Sequence, residues 1–479
     1  MTTTIKRELF PKKEEIFSWI EDLTQWGHRK TGTPEGRKSA EYIAEKMKEF
    51  GLEDVKIEEV PSMCMTVDAY KLDIEGEPIE CFYANGTNRR AEEGSFEIGM
   101  DGEDSEFVYL GAGEDTDFKN INVRGKVVVC DIYFPASDMV NLRRLYQGAY
   151  LYDPEDKSSK LTGKYNIYSP GNWPYNYCRA FEGGAVGFIG ILADYYDDPY
   201  WYSEDYTDMG KDFGLEYMSL PAMWISRSSG KALKAKFKEK GALRGHMKMR
   251  STYGYKTALN ISGKLKGKSP EIILMHSHHD AVFAGAVQDA SGISEMLALA
   301  KYFSQVPEKE REKTMMFAAT DTHYTDYMGH QAFIKKRMAE GEKMVLDIAI
   351  EHIGKETYFD ENYVEHETGE VESRVVYITR ESGLNDIVID KFKEYGLDKT
   401  IFFQVGLKHN LDGEYEFSPD EVISDAYYFN EWGIPVVSMV AAEMYIYHPS
   451  DKPNRIPIDA LEPFGMAFAE IAMIAARQL

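Results

Sequence analysis

Four short apolar runs, at 272–275, 315–319, 345–350 and 434–439, impose a repeating strand–loop–helix pattern on the second half of this 479-residue chain. Each run is too short for an ordinary helix and is bounded by turn residues, so each reads as a buried strand. Between them the period changes to that of a helix. Ile293, Met296, Leu297 and Ala300 share one helical face, and 460–477 forms an amphipathic helix. Strands alternating with helices predict an α/β fold with a mostly parallel mixed sheet flanked by helices.

In such sheets ligands bind outside the carboxyl ends of the strands. The first run leads into His276, His278 and Asp280, and the second into Asp321 and His323. The third leads into Glu351 and His352; the fourth is followed by Glu443 and His448. Imidazole nitrogen and carboxylate oxygen without thiolate suit a hard or borderline divalent cation. Residues two apart on an extended strand point the same way. Asp280 can therefore hydrogen-bond the second ring nitrogen of His278 and fix its tautomer, as metal-bound histidines require. His276 and His279 read as neighbours of this pair. His28, His246, His330, His366 and His409 carry no supporting pattern and read as structural.

The remainder of the chain is organised differently. Residues 14–27 and 36–50 have helical spacing, with Ala40, Ile43, Ala44 and Met47 on one face and Gly51 as a stop. Alternating strands follow, such as 55–60. From 105 to 250, short apolar runs with glycine turns read as strands. They enclose two clusters of aromatics: Tyr146, Tyr150, Tyr152, Tyr165, Tyr168, Trp173, Tyr175 and Tyr177, then Tyr195, Tyr196, Tyr200, Trp201, Tyr202 and Tyr206. The Pro, Gly and Asp among them predict ordered loops. The expected division is 1–104 with 251–479 as one unit and 105–250 as an insert.

The net charge of −25 argues against nucleic acid or an anionic membrane as partner. No apolar run is long enough to span a bilayer, and the N-terminus lacks the apolar core of a signal peptide. Cys64, Cys81, Cys130 and Cys178 are too scattered for a disulfide framework or a thiolate metal site. A cytoplasmic protein with reduced thiols is expected.

The segment 272–300 resembles the co-catalytic zinc aminopeptidase family that also contains glutamate carboxypeptidase. There a strand ends in His-x-Asp, followed by a bridging Asp and a Ser-Gly that opens a helix. Here these are His278 and Asp280, then Asp289, Ser291 and Gly292. Arg29 to Gly36, Ala258 to Gly263, Ser424-Asp425 with Phe429 and Gly433 to Pro435, and Tyr447-His448 with Asp451 also match family stretches. The runs at 108–111, 123–129, 183–189 and 220–226 are similar to the protease-associated domain inserted in some members.

Three positions depart from the family pattern. A Glu-Glu pair, one member the general base and the other a ligand, is replaced by His323 and Tyr324. The bridging Asp normally lies where Gln288 stands, with Asp289 one residue later. Glu351 occupies the place of a later Asp ligand. The resemblance thus implies a rebuilt ligand set of His278, Asp289, His323, Glu351 and His448. It would hold one or two divalent ions: zinc first, with iron, manganese or cobalt as alternatives.

The implied reaction is hydrolysis of an amide or peptide-like bond by metal-activated water. Asp280 orients His278. His323 serves as base if it is not a ligand, with Asp321, Glu443 and His352 as alternatives, and Tyr324 can stabilise an oxyanion. The substrate is a peptide or small molecule. The aromatic insert fits a substrate with an aromatic body, an oligomer contact between copies of the chain, or a lid. The other readings are a non-peptide chemistry on the same scaffold and a non-catalytic relative.

Overall fold

The computed structural model describes residues 4–99, 104–135, 149–158, 169–204, 210–211, 213–409 and 421–479. The four apolar runs become strands Ser269–His278, Lys313–Thr320, Met344–Ile350 and Val436–Ala441. Ser269–His278 pairs in parallel with Lys313–Thr320 on one side and with Met344–Ile350 on the other. Met344–Ile350 continues in parallel to Val436–Ala441. All four point the same way, so their carboxyl ends lie along one edge. Arg374–Thr379 then pairs antiparallel to Val436–Ala441 and parallel to Thr400–Val405, which makes the sheet mixed.

The last of the four strands starts later than its apolar run. Pro435 has no N–H to give the ladder, and its carbonyl accepts from the amide of Asp347 at 2.9 Å. Helix Gly292–Ser304 follows the first strand and is buried almost along its whole length, between the sheet and helices Lys13–Thr24, Pro34–Glu49 and Ile458–Gln478. Helix Pro34–Glu49 begins where its sequence dictates. The Thr33 side chain accepts from the amide of Gly36 at 3.1 Å, and Pro34 occupies the first turn, where its missing N–H costs nothing.

Residues 105–250 join the same sheet. Ser105–Tyr109, Val127–Ile132, Gly187–Leu192 and Ala222–Ile225 form a parallel set. The connection is the 24-residue strand Ala242–Leu265. It pairs antiparallel with Ser105–Tyr109 near its start, with Glu53–Ile74 along its length and with Lys313–Thr320 at its end. Position 250, the expected boundary, falls inside this strand, so backbone pairing runs through it without a break.

The aromatic clusters are not simply loops. Trp173, Tyr177, Tyr195 and Trp201 are at most 2% exposed. Tyr177 lies in helix Tyr175–Glu182, and its Oη both donates to the carbonyl of Leu220 (3.0 Å) and accepts from its amide (2.8 Å). A large ring whose polar tip finds a partner can be buried whole, as Tyr177 is, and Trp173, Tyr195 and Trp201 join it in the hydrophobic core. Tyr146, Tyr165, Tyr168 and Tyr206 lie outside the described residues. Cys64, Cys130 and Cys178 are buried free thiols, and Cys81 is half-buried.

Candidate metal centre

His278 closes its strand and is fully buried. Its Nδ1 lies 3.2 Å from Asp280 Oδ1 and 3.1 Å from the Asp280 carbonyl. Donation from Nδ1 leaves Nε2 as the free lone pair, and Nε2 is buried with no partner. Burial alone would raise the Asp280 carboxyl, but the hydrogen bond and charge of His278, with His323 and His279 behind it, hold it down to about 2. Asp280 Oδ2 accepts from the amide of Tyr324 at 3.2 Å.

His323 lies beyond the end of Lys313–Thr320, and its ring stacks on His278 with centroids 4.1 Å apart. Its Nδ1 meets Asp425 Oδ1 at 2.7 Å. Its Nε2 lies 3.0 Å from Gln288 Nε2 and 3.4 Å from Tyr447 Oη. Burial pushes the imidazole down, yet Asp425 outweighs it and raises the group to about 9. The other Asp425 oxygen meets His330 Nε2 at 2.8 Å. The potential ligand atoms of His278, His323 and Asp425 lie within 4.8 Å of one another, as do those of His276, His330 and Asp425.

Asp289 and Glu351 are buried close to this group, Asp289 near His278 and Glu351 near Asp425. Asp289 Oδ1 accepts from the amides of His352 (3.1 Å) and Gly292 (3.2 Å), and Oδ2 accepts from Ser277 Oγ. Glu351 Oε1 accepts from the amide of Asp425 at 3.1 Å, while Oε2 is buried without a partner. Burial, then Asp425 and Asp289, push the Glu351 carboxyl well up. His352 Nδ1 lies 2.6 Å from the Ala441 carbonyl, and its Nε2 has no partner. Burial lowers this ring to about 3, so it is neutral.

Three residues here carry left-handed backbone: Thr322 at φ 84°, Tyr327 at φ 52° and His352 at φ 58°. Non-glycine residues adopt it at a cost, and such positions cluster at functional sites. Thr322 and His352 are the chain neighbours of His323 and Glu351.

His448 is not among these groups. Its Nε2 meets Asp198 Oδ2 at 2.9 Å and its Nδ1 meets Ser450 Oγ at 2.8 Å. Its ring stacks on Tyr196 at 4.0 Å, inside the aromatic segment. Tyr324 is buried with its ring 4.8 Å from that of His323 and 6.0 Å from that of His278. Burial drives its phenol well above the ordinary range, so it keeps its proton at neutral pH.

The alternative bases are differently engaged. Asp321 accepts from Thr31 Oγ1 at 2.6 Å and from the amide of Leu259 at 2.8 Å, and burial raises it to about 8. Glu443 is buried near Glu372, which helps raise its carboxyl, so it belongs to a separate acidic cluster. Sequence reasoning gave Asp425 no role because no predicted strand end marks it. It sits in a loop ahead of the short helix Tyr427–Glu431. The signal was the Ser424-Asp425 match. His330, read as structural from the sequence, is the second histidine on Asp425.

Buried polar groups normally find partners, and clusters of orphans call for an explanation such as an ion. His278 Nε2, Glu351 Oε2 and His352 Nε2 are such orphans. Nitrogen and oxygen donors in this mixture fit a divalent cation.

The sequence profile of peptidase family M28 matches residues 260–472. The aminopeptidase YwaD of Bacillus subtilis (strain 168) is 25% identical over 198 residues, covering 39% of this chain and 40% of that protein. The chain therefore matches well under half the length of this curated relative. Among solved structures, an M28 peptidase precursor from Shewanella amazonensis SB2B aligns over 96% of this chain and 92% of its own, at 17% identity and a TM-score of 0.67. A zinc aminopeptidase from Bacillus subtilis aligns over 97% and 95%, at 18% identity and a TM-score of 0.63. These two share the fold along nearly the whole chain, including the region 105–250. Residues 260–472, over which the chain is similar to peptidase family M28, carry His278, Asp289, His323, Glu351, Asp425 and His448.

Proposed function

We propose that this chain is a metal-dependent hydrolase of peptide or peptide-like amide bonds, acting as an aminopeptidase. The observation that carries the reading is the stacked pair His278 and His323, each with its Nδ1 held by a carboxylate, at the carboxyl edge of a parallel sheet. The family match of 260–472 and the zinc aminopeptidase named above support it. The buried, partnerless His278 Nε2 and Glu351 Oε2 favour a bound ion, which would offset their desolvation.

In this reading His278, His323, Asp289 and Glu351 hold one or two divalent ions, zinc foremost. His448 joins them by giving up its bond to Asp198. A bound ion supplies Lewis acidity to the scissile carbonyl and to the attacking water. Asp280 and Asp425 are positioning residues: each holds the Nδ1 of one histidine and so presents Nε2. With no glutamate at 323 or 324, proton acceptance falls to the His323–Asp425 pair when the ring is not a ligand, in the state in which a nearby bound cation would strip the proton that Asp425 otherwise holds on the ring. The protonated phenol of Tyr324 is the donor for the developing oxyanion. Residues 105–250 act as an inserted unit covering the unit formed by 1–104 and 251–479, and the free thiols fit a cytoplasmic setting. No helix among the described residues is long and apolar enough to cross a membrane.

The test is reconstitution of the purified protein with zinc, manganese, iron or cobalt, followed by assay on a panel of short peptides with free N-termini. Bound metal with turnover is expected. A protein that takes up metal but cleaves no peptide or amide with any of the four ions overturns the reading.

A further inference from the structure

A cavity of about 250 Å³ shares Tyr324 and Thr31 with the metal centre. Thr31 Oγ1 donates to Asp321, and the Tyr324 ring lies against His323. In a chain of net charge −25, this cavity is lined by three cations: Lys30, Arg89 and Lys256. They come from segments far apart in sequence.

Among the described residues none of the three is paired with a carboxylate. Lys30 Nζ lies 3.5 Å from Tyr83 Oη and 5.5 Å from the centre of the Tyr202 ring. Lys256 Nζ donates to Thr66 Oγ1 at 2.9 Å. The Arg89 guanidinium lies 4.7 Å from the Tyr217 ring and 5.0 Å from the Tyr253 ring, and it donates to the carbonyls of Ala91 and Glu92. The acid that shares the lining, Asp326, already accepts from Ser62 Oγ and from the amides of Met63 and Met328. Burial and the nearby Lys256 both push the Lys30 ammonium down, as expected of like charges held together without an anion. Elsewhere the lysines of this acidic chain find acids readily, for example Lys234 with Asp131 and Lys236 with Glu77.

We infer that this cavity is an anion subsite that receives the terminal carboxylate of a short peptide substrate, with the scissile amide reaching past Tyr324 to the metal centre. The small volume favours a short peptide, and the rings of Tyr83, Tyr202 and Tyr253 give its body an apolar wall. The inference rests on the hydrolase reading and adds to it a preference for free acids.

The test uses a tripeptide whose first linkage is reduced to CH₂–NH, so that it binds without being cleaved. Calorimetry compares its free acid with its C-terminal amide on the metal-loaded enzyme. The acid is expected to bind at least about tenfold more tightly, the worth of one charge-assisted hydrogen bond. In Lys256→Met, which keeps the stem that packs on Gly32, the ratio falls toward one. Arg89→Met provides an independent second variant. Equal binding of acid and amide, or a ratio unchanged in both variants, overturns the inference. Failure of the hydrolase reading is seen separately, as absent turnover of the unreduced tripeptide.

Discussion

The rings of His278 and His323 lie parallel to within 7° and 4.1 Å apart. Each is tied at Nδ1 to its own carboxylate, Asp280 for one and Asp425 for the other. Two imidazoles stacked this closely repel if both are protonated. A cation bound through the opposite nitrogens removes that conflict, because ligation requires the neutral ring. The arrangement makes Asp425 as consequential as the ligands themselves.

Asp425→Asn is expected to weaken metal binding about 10- to 100-fold, the usual cost of losing an outer carboxylate. His278→Ala should lose the ion altogether. Metal content after dialysis, measured by plasma mass spectrometry, checks both. Retention of full metal stoichiometry in His278→Ala would remove this histidine from the ligand set.

Chelation should lower the melting temperature, since an ion that binds only the folded state stabilises it by mass action. The shift should vanish in His278→Ala. Differential scanning calorimetry with and without chelator reads it directly.

Gly292 is required by space. A Cβ there would lie 2.1 Å from the carbonyl of Ile350, 2.5 Å from Asp289 Oδ2 and 2.7 Å from Ser277 Oγ. Gly292→Ala is therefore expected to cost roughly 1–3 kcal/mol through overpacking. It should also displace Asp289 and reduce turnover. Urea unfolding and kcat, measured on the same preparation, check the two effects.

Glu295 is fully buried with neither carboxyl oxygen partnered, and burial alone drives its pKa well up. A carboxyl raised in the folded state contributes stability below its unfolded pKa and loses it as pH rises. Glu295→Met should therefore stabilise the protein at pH 8 by on the order of 1–3 kcal/mol and by less at pH 5. Equal or lower stability of the variant at pH 8 contradicts this.

His279 is lowered by burial to about 4, with Nε2 2.8 Å from the carbonyl of Leu259. A depressed histidine contributes stability above its unfolded pKa near 6.5 and loses it as pH falls through the folded value. Between pH 6.5 and 4, wild type should lose about 1.4 kcal/mol per pH unit through this residue, a loss absent from His279→Gln. The stability gap between the two proteins should narrow on acidification, as read by chemical denaturation at pH 7, 6 and 5.

The local pattern carried much of this protein. Apolar runs of strand length separated by helical periods dictate an α/β sheet, because burying one face of each element leaves few other solutions. Parallel pairing then gathers the carboxyl ends of the strands, and with them His278, His323 and Glu351. The Asp280 contact follows from a two-residue step and the pleat. Tertiary structure alone decided the rest. Asp425 bridges His323 and His330 from a loop about a hundred residues away, a distance no periodicity encodes. His448 turns to Asp198 because the aromatic segment packs beside it. The cavity cations converge from three remote positions along the chain. Secondary structure is written in neighbours and period, whereas contacts between distant side chains depend on how whole elements pack, and that is set only when the sheet and the elements around it close on one another.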